Sequence, residues 1–417
     1  MDDLQTLNVI TDRVLGYRVE SPDLTPPAFS FYEFFSGGGM ARAGLGSRWT
    51  CLFANDFDHK KSAVYRDNWD GDTLKTGDVG KVKVTDLPGR AGLAWASFPC
   101  QDLSLAGMGA GLRGDRSGTF WPFWKLMTRL IAKRRGPRII VLENVCGTLT
   151  SHGGKDFTAL ADALADSGYA FGAVVIDAER FVPQSRKRLF VVAVSPDSPI
   201  PPSLLAKEPS SIWHTKALRT AHDRLSEATR ERWVWWKIAP PPKRTSGFVD
   251  LLEDEPESVE WHFKAETKRL LKMMSAVNIA KVREAKTTGK RMVGAVYKRT
   301  RLDENGEKVQ RAEVRFDGVS GCLRTSSGGS SRQLIVVVHG DEVRSRLVSS
   351  RETARLMGLP EDYRLPANYN EAYHLTGDGL VVPVVRHLAA MLLEPILAKK
   401  PKKASASHAR NTVPAKR

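Results

Sequence analysis

Cysteine is scarce in this chain. Its 417 residues hold four, Cys51, Cys100, Cys146 and Cys322, with no CxxC pair among them. That excludes a disulfide framework and a zinc site of the usual spacing, so no metal is expected. Nor does any apolar run look long enough for the ~18–20 residues of a membrane span, and no membrane association is expected. The start, Met1-Asp2-Asp3-Leu4, carries acid where a signal peptide carries base, so the expected location is the cytoplasm. No internal repeat is visible. Positive charge is in excess, at a formal net +16. That balance favours an anionic partner, nucleic acid first. Part of it is a basic tail, with Lys399, Lys400, Lys402, Lys403, Arg410, Lys416 and Arg417. The rest is spread through the chain, densest from Lys264 to Arg315. Charge alone does not separate DNA from RNA.

The length suffices for two domains and a sizeable core. Residues 1–27 read as a loosely ordered arm ending in Pro26-Pro27. From 28 to 197, apolar strands alternate with helices, which predicts an α/β domain with a mostly parallel, doubly covered sheet. A strand over Phe29–Phe35 runs into Ser36-Gly37-Gly38-Gly39-Met40, the opening of a Rossmann-like unit. A glycine turn by itself is as readily a structural tight turn. The reading strengthens at Asn55-Asp56-Phe57-Asp58, after a second strand, where an acid is placed to bond ribose hydroxyls. Gly77-Asp78-Val79 ends a third strand. A fourth, Leu93–Ala96, delivers Ser97-Phe98-Pro99-Cys100-Gln101, followed by Asp102-Leu103-Ser104 and a Gly-studded stretch to Gly118. A fifth, from Ile139, ends in Glu143-Asn144-Val145. Two more, Ala173–Asp177 and Leu189–Val194, flank Gln184-Ser185-Arg186-Lys187-Arg188.

At Pro196–Pro202 the texture changes. Residues 198–340 form an irregular, basic insertion, expected to be a smaller second domain. It ends near the loop Gly321–Arg332, a nucleic-acid contact candidate that is as readily a solvated hairpin loop. Residues 341–398 return to regular helices, and 399–417 are a low-complexity basic tail expected to be disordered.

The strand ends collect a glycine turn, a ribose acid, Asp78, a cysteine, Glu143 and paired arginines. Singly these are weak signals. A lone cysteine is most often a small buried hydrophobe, and Glu143 could be an ordinary strand-end acid paired with an arginine. Their conjunction and order resemble the DNA (cytosine-5) methyltransferases of bacterial and phage type. The resemblance covers roughly residues 30–195 and 340–397. It rests on Phe35-Ser36-Gly37-Gly38-Gly39, Pro99-Cys100-Gln101, Glu143-Asn144-Val145 and Gln184-Ser185-Arg186-Lys187-Arg188. It implies a Rossmann-like, doubly wound mixed sheet of the S-adenosylmethionine-dependent methyltransferase kind, with a target-recognition domain as the insertion.

The resemblance also implies roles. Cys100, aimed by Pro99, would attack carbon 6 of a flipped-out cytosine. Glu143 would handle the proton at ring nitrogen 3. Arg188, with Arg186 behind it, would hold the carbonyl oxygen. S-adenosylmethionine would be held by Phe35, Gly37 and Gly39, with Asp56 on the ribose, Phe57 against the adenine, Asp78 and Val79 at its edge, and Thr119 and Asp378 closing the site. Gln101 and Ser104 would touch DNA near the target base. Arg324, Thr325, Gly328 and Gly329 are the candidates for sequence readout. Three positions depart from the family's habit: Met40 stands where a glycine is common, Gly377-Asp378-Gly379 replaces Gly-Asn-Ser or Gly-Asn-Ala, and Thr119 replaces an apolar residue. The expected partner is duplex DNA, bound by a monomer, with a cognate restriction endonuclease as a further candidate. The alternatives are a tRNA cytosine-5 methyltransferase and a catalytically silent DNA-binding protein. The size of the basic insertion favours DNA over tRNA, and the intact Cys100, Glu143 and Arg188 favour an enzyme.

Overall fold

The computed structural model describes residues 28–69, 71–99, 119–302, 305–324 and 332–401. The expected arm (1–27), Cys100, Gln101, Ser104, the Gly-rich stretch to Gly118, and Thr325, Gly328 and Gly329 lie outside the described residues. So does all of the basic tail after Pro401.

Seven strands form the main sheet: β1 (Phe29–Phe34), β2 (Trp49–Asp56), β3 (Leu74–Thr76), β4 (Leu93–Ala96), β5 (Ile139–Val145), β6 (Ala170–Asp177) and β7 (Lys187–Val194), in the order β3-β2-β1-β4-β5-β7-β6. β3, β2, β1, β4 and β5 pair in parallel, and β7 runs antiparallel between β5 and β6. The sheet is therefore mixed, as expected. Alternate residues feed two cores. Phe31, Trp95 and Val141 pack on one face with the C-terminal helices. Tyr32, Phe34, Ala94 and Leu142 pack on the other with the helices Phe120–Ala132 and Lys155–Asp166. Strand order reverses between β1 and β4, so a crevice opens there at the carboxyl ends of the strands.

The C-terminal segment belongs to this sheet. Gly44, in the helix Met40–Leu45, lies so near the helix Val382–Leu388 that an added Cβ would sit 2.4 Å from Val385 Cβ. Trp49 Nε1 donates to Glu394 at 3.1 Å, and Arg48 pairs with the same carboxylate at 3.2 Å. One expectation needs correction here. The 29-residue stretch Tyr369–Leu397 is long and apolar enough to cross a membrane by length and composition, with a mean hydropathy of 1.7 in its most apolar window. Of that window, 72% is buried inside the fold, as suits a core helix of this sheet.

The insertion divides in two. Its first part covers the free edge of β6. Phe171 N donates to Arg232 O at 2.9 Å, Val234 N to Phe171 O at 2.7 Å and Val175 N to Trp213 O at 2.8 Å. The short strands β8 (Leu205–Ala206) and β9 (Trp235–Trp236) pair with each other there, and Trp213 and Trp236 are buried in the main core. Residues from 198 to about 250 thus dress the main sheet, although composition alone groups them with the second domain. A sheet edge covered in this way offers no free strand for unwanted pairing. The second part is a four-stranded antiparallel sheet, ordered β11-β10-β12-β13, of β10 (Met292–Leu302), β11 (Lys308–Arg315), β12 (Leu334–His339) and β13 (Glu342–Leu347). Its separate core packs Val296, Val314 and Val336 against Leu270 and Val282 of the helices Lys264–Lys272 and Ala276–Thr287. β13 pairs with β12 along its full length, so the sheet runs across the boundary expected at 340.

Candidate active site

A cavity of about 600 Å³ lies along the carboxyl ends of β1, β2, β4 and β5. Its walls bring together Phe35, Gly37, Asp56, Phe57, Asp78, Val79, Pro99, Thr119, Glu143, Arg188 and Asp378. Most of the expected site therefore shares one space.

The first half is built on backbone. At the end of β1, Phe35 takes a left-handed φ of 57°, followed by Gly37 at 54° and Gly39 at 79°. A left-handed phenylalanine is strained and persists only where its surroundings fix it. Three contacts fix this turn. Gly37 N donates to Asp56 Oδ2 at 2.7 Å. Gly38 O accepts from Trp69 Nε1 at 3.0 Å and Tyr363 OH at 2.7 Å. A Cβ on Gly39 would meet Trp69 Nε1 at 2.2 Å, so no larger residue fits there. Asp56 also accepts from Asp58 N at 2.8 Å. Two amides occupy part of its acceptor capacity, and a carboxylate retains lone pairs for hydroxyls. Burial pushes its pKa up, against the pull of those amides. Phe57 is 75% exposed, a large aromatic face open to the cavity. Asp78 is exposed and caps a short turn through Gly80 N, with Val79 buried beside it. Asn55 holds that turn in place by donating to Lys75 O and Gly77 O at 2.8 and 2.9 Å. A tight glycine turn, an acid with spare acceptors and an open aromatic face fit the nucleoside cofactor that the resemblance implies.

Two of the departures compensate each other. A Cβ on Gly379 would lie 2.2 Å from Met40 Sδ. The larger residue in the first loop therefore uses the space left by the smaller residue in the last. Gly379→Ala is expected to destabilise the protein and weaken cofactor binding, and Met40→Ala in the same chain to restore part of both. A double-mutant cycle read by urea denaturation should show coupling of about 1 kcal/mol or more, and additivity would refute the pairing. Asp378 is paired to Lys61 Nζ at 2.6 Å, so its carboxylate is already engaged on the cavity rim.

Glu33, one residue from the end of β1, is buried, and its Oε2 has no hydrogen-bond partner among the described residues. Burial raises its pKa from 4.5 to about 8, against the charge of Arg42. The folded state thus binds a proton that the unfolded chain has lost. Its contribution to stability is present below pH 4.5 and is lost as pH rises to about 8. Glu33→Gln is expected to flatten the fall in Tm over that range, and an unchanged profile would show that Glu33 is ionised throughout.

The second half is built on side chains. Because β7 is antiparallel, its start lies beside the end of β5, where Val145 pairs with Arg188. Arg188 Nε then sits 3.2 Å from Glu143 Oε1, with both side chains largely buried. Burial raises the Glu143 pKa, while Arg188 and Arg186 pull it down and Ser97 bonds it. Asn144 Nδ2 donates to Phe98 O at 3.0 Å, tying the end of β5 to the chain that leads into Pro99 and Cys100. Ser97 and Asn144 were not singled out in the sequence. The signal for Asn144 was its place inside Glu143-Asn144-Val145.

Arg186 is fully buried behind this pair, outside the cavity. Its guanidinium donates to Leu323 O at 2.9 Å, Gly377 O at 2.9 Å and Gly379 O at 2.7 Å. Burial lowers its pKa to about 10, helped by Arg188. Arg186 therefore ties the backbone at Leu323 to the last loop at Gly377 and Gly379, behind the cavity rather than in its wall. Gln184 does similar work, donating to Leu356 O at 2.8 Å and accepting from Leu323 N at 3.1 Å. Of the readout candidates, Arg324 is described. It is exposed and lines a separate cleft of about 860 Å³ against the second sheet. Among the described residues, no group of three or more His, Cys, Asp or Glu side chains is arranged to hold a metal ion.

Known proteins resemble this chain across most of its length. It is 24% identical over 375 residues to the type II methyltransferase M.BsuFI of Bacillus subtilis, covering 88% of this chain and 73% of that one. It is 22% identical over 374 residues to M.HhaI of Haemophilus parahaemolyticus, covering 89% and 96%. The solved structure of the Entamoeba histolytica methyltransferase EhMeth matches with a TM-score of 0.58 at 13% identity, over 89% of this chain and 99% of that one, which supports the fold. The family model described as C-5 cytosine-specific DNA methylase matches residues 29–394. The chain belongs to the C-5 cytosine-specific DNA methylase family.

Proposed function

We propose that the protein methylates carbon 5 of cytosine within a specific duplex DNA sequence, using Cys100 as a covalent nucleophile. The observation that carries this reading is that Glu143 and Arg188 share one cavity with the Gly37–Asp56 loop and with Pro99, the residue before Cys100.

S-adenosylmethionine, when bound, supplies a methyl group activated by its positive sulfur. The chain supplies the rest. Carbon 5 of cytosine is a poor nucleophile. Addition of the Cys100 thiolate to carbon 6 forms a C–S bond and moves an electron pair towards nitrogen 3. Glu143, kept protonated to higher pH by its burial, donates its proton there. Arg188 bonds the carbonyl oxygen as charge develops. The resulting enamine makes carbon 5 nucleophilic, so it could take the methyl that the cofactor, held by the Gly37–Asp56 loop, would supply as its methyl–sulfur bond breaks. Loss of the carbon-5 proton to a base then expels the Cys100 thiolate, and the proton on nitrogen 3 returns to Glu143. Carbon 6 is inaccessible in the stack, so the base must leave the duplex first. In this reading the protein acts as a monomer in a bacterial cytoplasm. The type II names of its relatives add a cognate restriction endonuclease as counterpart.

Purified protein with methyl-labelled S-adenosylmethionine is expected to label duplex DNA and leave tRNA unlabelled. A folded protein that binds the cofactor and labels no DNA would overturn the reading, and label in tRNA would move it to the RNA branch.

A further inference from the structure

β10 outruns its neighbour. Met292–Val296 pair with β12, whereas among the described residues Tyr297–Leu302 pair only with Lys308–Glu313 of β11. A two-stranded ribbon thus projects from the second sheet. Its paired strand residues carry five cations (Lys298, Arg299, Arg301, Lys308 and Arg311) against one acid, Glu313, while the segment that joins them adds Asp303, Glu304 and Glu307, so the positive charge lies along the strands. Directly opposed residues share a face, which groups Tyr297 with Glu313, Arg299 with Arg311 and Arg301 with Val309. At the ribbon's base this face continues through Val293 and Ala295, which are buried in the main core. The other face continues through Ala312, Val314 and Val296 into the second sheet's own core. Arg299, Arg301 and Glu313 of this face line the 860 Å³ cleft, as do Lys298, Thr300 and Gln310 of the other face and Ser185, next to Arg186.

Those arginines are held in orientation. Arg301 places Nε at 3.0 Å and an Nη at 2.6 Å from Glu313 Oε1. Arg299 lies over the Tyr297 ring, 5.5 Å from its centroid, with Nε 3.6 Å from Glu313 Oε2. One acid thus braces two guanidinium groups, and neither bond uses Arg301 Nη1. A phosphate contact needs charge and little orientation, whereas a guanine edge needs a fixed fork aimed at O6 and N7. The major groove admits a two-stranded ribbon.

We propose that this ribbon enters the major groove of the target duplex and that Arg301, with Arg299 beside it, reads guanine there. Glu313 is the positioning residue for both. The proposal rests on the DNA reading above and moves base readout from the loop after Arg324 to β10.

The test uses the full chain, S-adenosylmethionine and a pool of duplexes with random bases around one cytosine, read by bisulfite sequencing. The wild type should prefer a flank containing guanine. Arg301→Ala should relax that preference at one guanine about 10-fold or more, with other positions unchanged. Arg301→Lys should fail to restore it, since lysine has charge without the fork. Glu313→Gln should relax the same position more weakly. Equal binding of S-adenosylmethionine across the set checks folding. A variant that loses activity evenly over all flanks, with a salt dependence lower by about one phosphate contact, would overturn the proposal. So would a wild-type preference without guanine. A wild type that methylates no duplex would instead overturn the underlying function, before any variant is compared.

Discussion

Cys100→Ala is expected to abolish methyl transfer, by roughly four orders of magnitude or more, while binding of S-adenosylmethionine and duplex DNA survives. Without thiolate addition, carbon 5 has no route to nucleophilicity, however well the cavity holds the base. The chain leading to Cys100 is anchored for this role. Asn144 bonds Phe98 O, and Pro99 faces the cavity that holds Glu143 and Arg188. The other cysteines are poorly placed to substitute. Burial pushes the Cys146 thiol up, only partly offset by Arg188. Burial also pushes Cys322 up, but Arg186, Arg188 and Arg324 outweigh it and hold the thiol below its ordinary value. Cys322 nevertheless lies 3.3 Å from an Arg186 Nη and lines the separate cleft against the second sheet, away from the Gly37–Asp56 turn. Labelled methyl transfer and a gel shift measure the two halves of the prediction. Turnover retained in Cys100→Ala and lost in Cys322→Ala would move the nucleophile.

Glu143→Gln should lower the rate by about 10²- to 10⁴-fold, the usual contribution of a positioned acid, with cofactor affinity unchanged. The direction of the pH effect follows from burial. Glu143 is pushed upward by desolvation, against the pull of Arg188, so its acid form persists above the usual carboxylate range. A rate that depends on that acid falls as pH rises through the raised pKa. Stability follows the same sign, because the folded state keeps a proton that the unfolded chain releases, and this contribution is lost as pH rises. The glutamine variant cannot ionise, so it should lose the alkaline limb of the rate profile along with most of the rate. A variant as slow as expected but with the limb intact would assign the titration to another group.

Much of the site was legible because strand ends were. Short apolar runs in the first 195 residues became strands of the main sheet, and residues at or just past the carboxyl ends of the strands became cavity wall: Phe35, Asp56, Asp78, Pro99 and Glu143. The antiparallel placement of β7 was not legible, yet it is what brings Arg188 to Glu143. The role of Arg186 was hidden for a different reason. Motif position put it behind Arg188, but its partners are backbone carbonyls of Leu323, Gly377 and Gly379, more than a hundred residues distant in the chain. Residues 198–250 misled by composition. The change of texture at Pro196–Pro202 marked a new domain there, but Trp213 and Trp236 of this segment pack into the main core, and the segment covers the β6 edge. In the second sheet the stretches Val309–Phe316 and Leu334–Val338 read as strands from their sequence and fall on β11 and β12, while the helix pair over them was not legible. One of those helices, Ala276–Thr287, buries only Val282 and Ala285, too few for a clear apolar stripe.

In the proposed mechanism Cys100 bonds to carbon 6 of the target cytosine. A duplex carrying 5-fluorocytosine tests it most directly, since fluorine at carbon 5 cannot leave as the proton does and the adduct cannot resolve. With S-adenosylmethionine present, the wild type should form a denaturant-stable complex. Peptide mass mapping should place the crosslink on Cys100, and Cys100→Ala should form none. A crosslink on another residue, or none from a protein that methylates ordinary cytosine in the same sequence, would contradict the account.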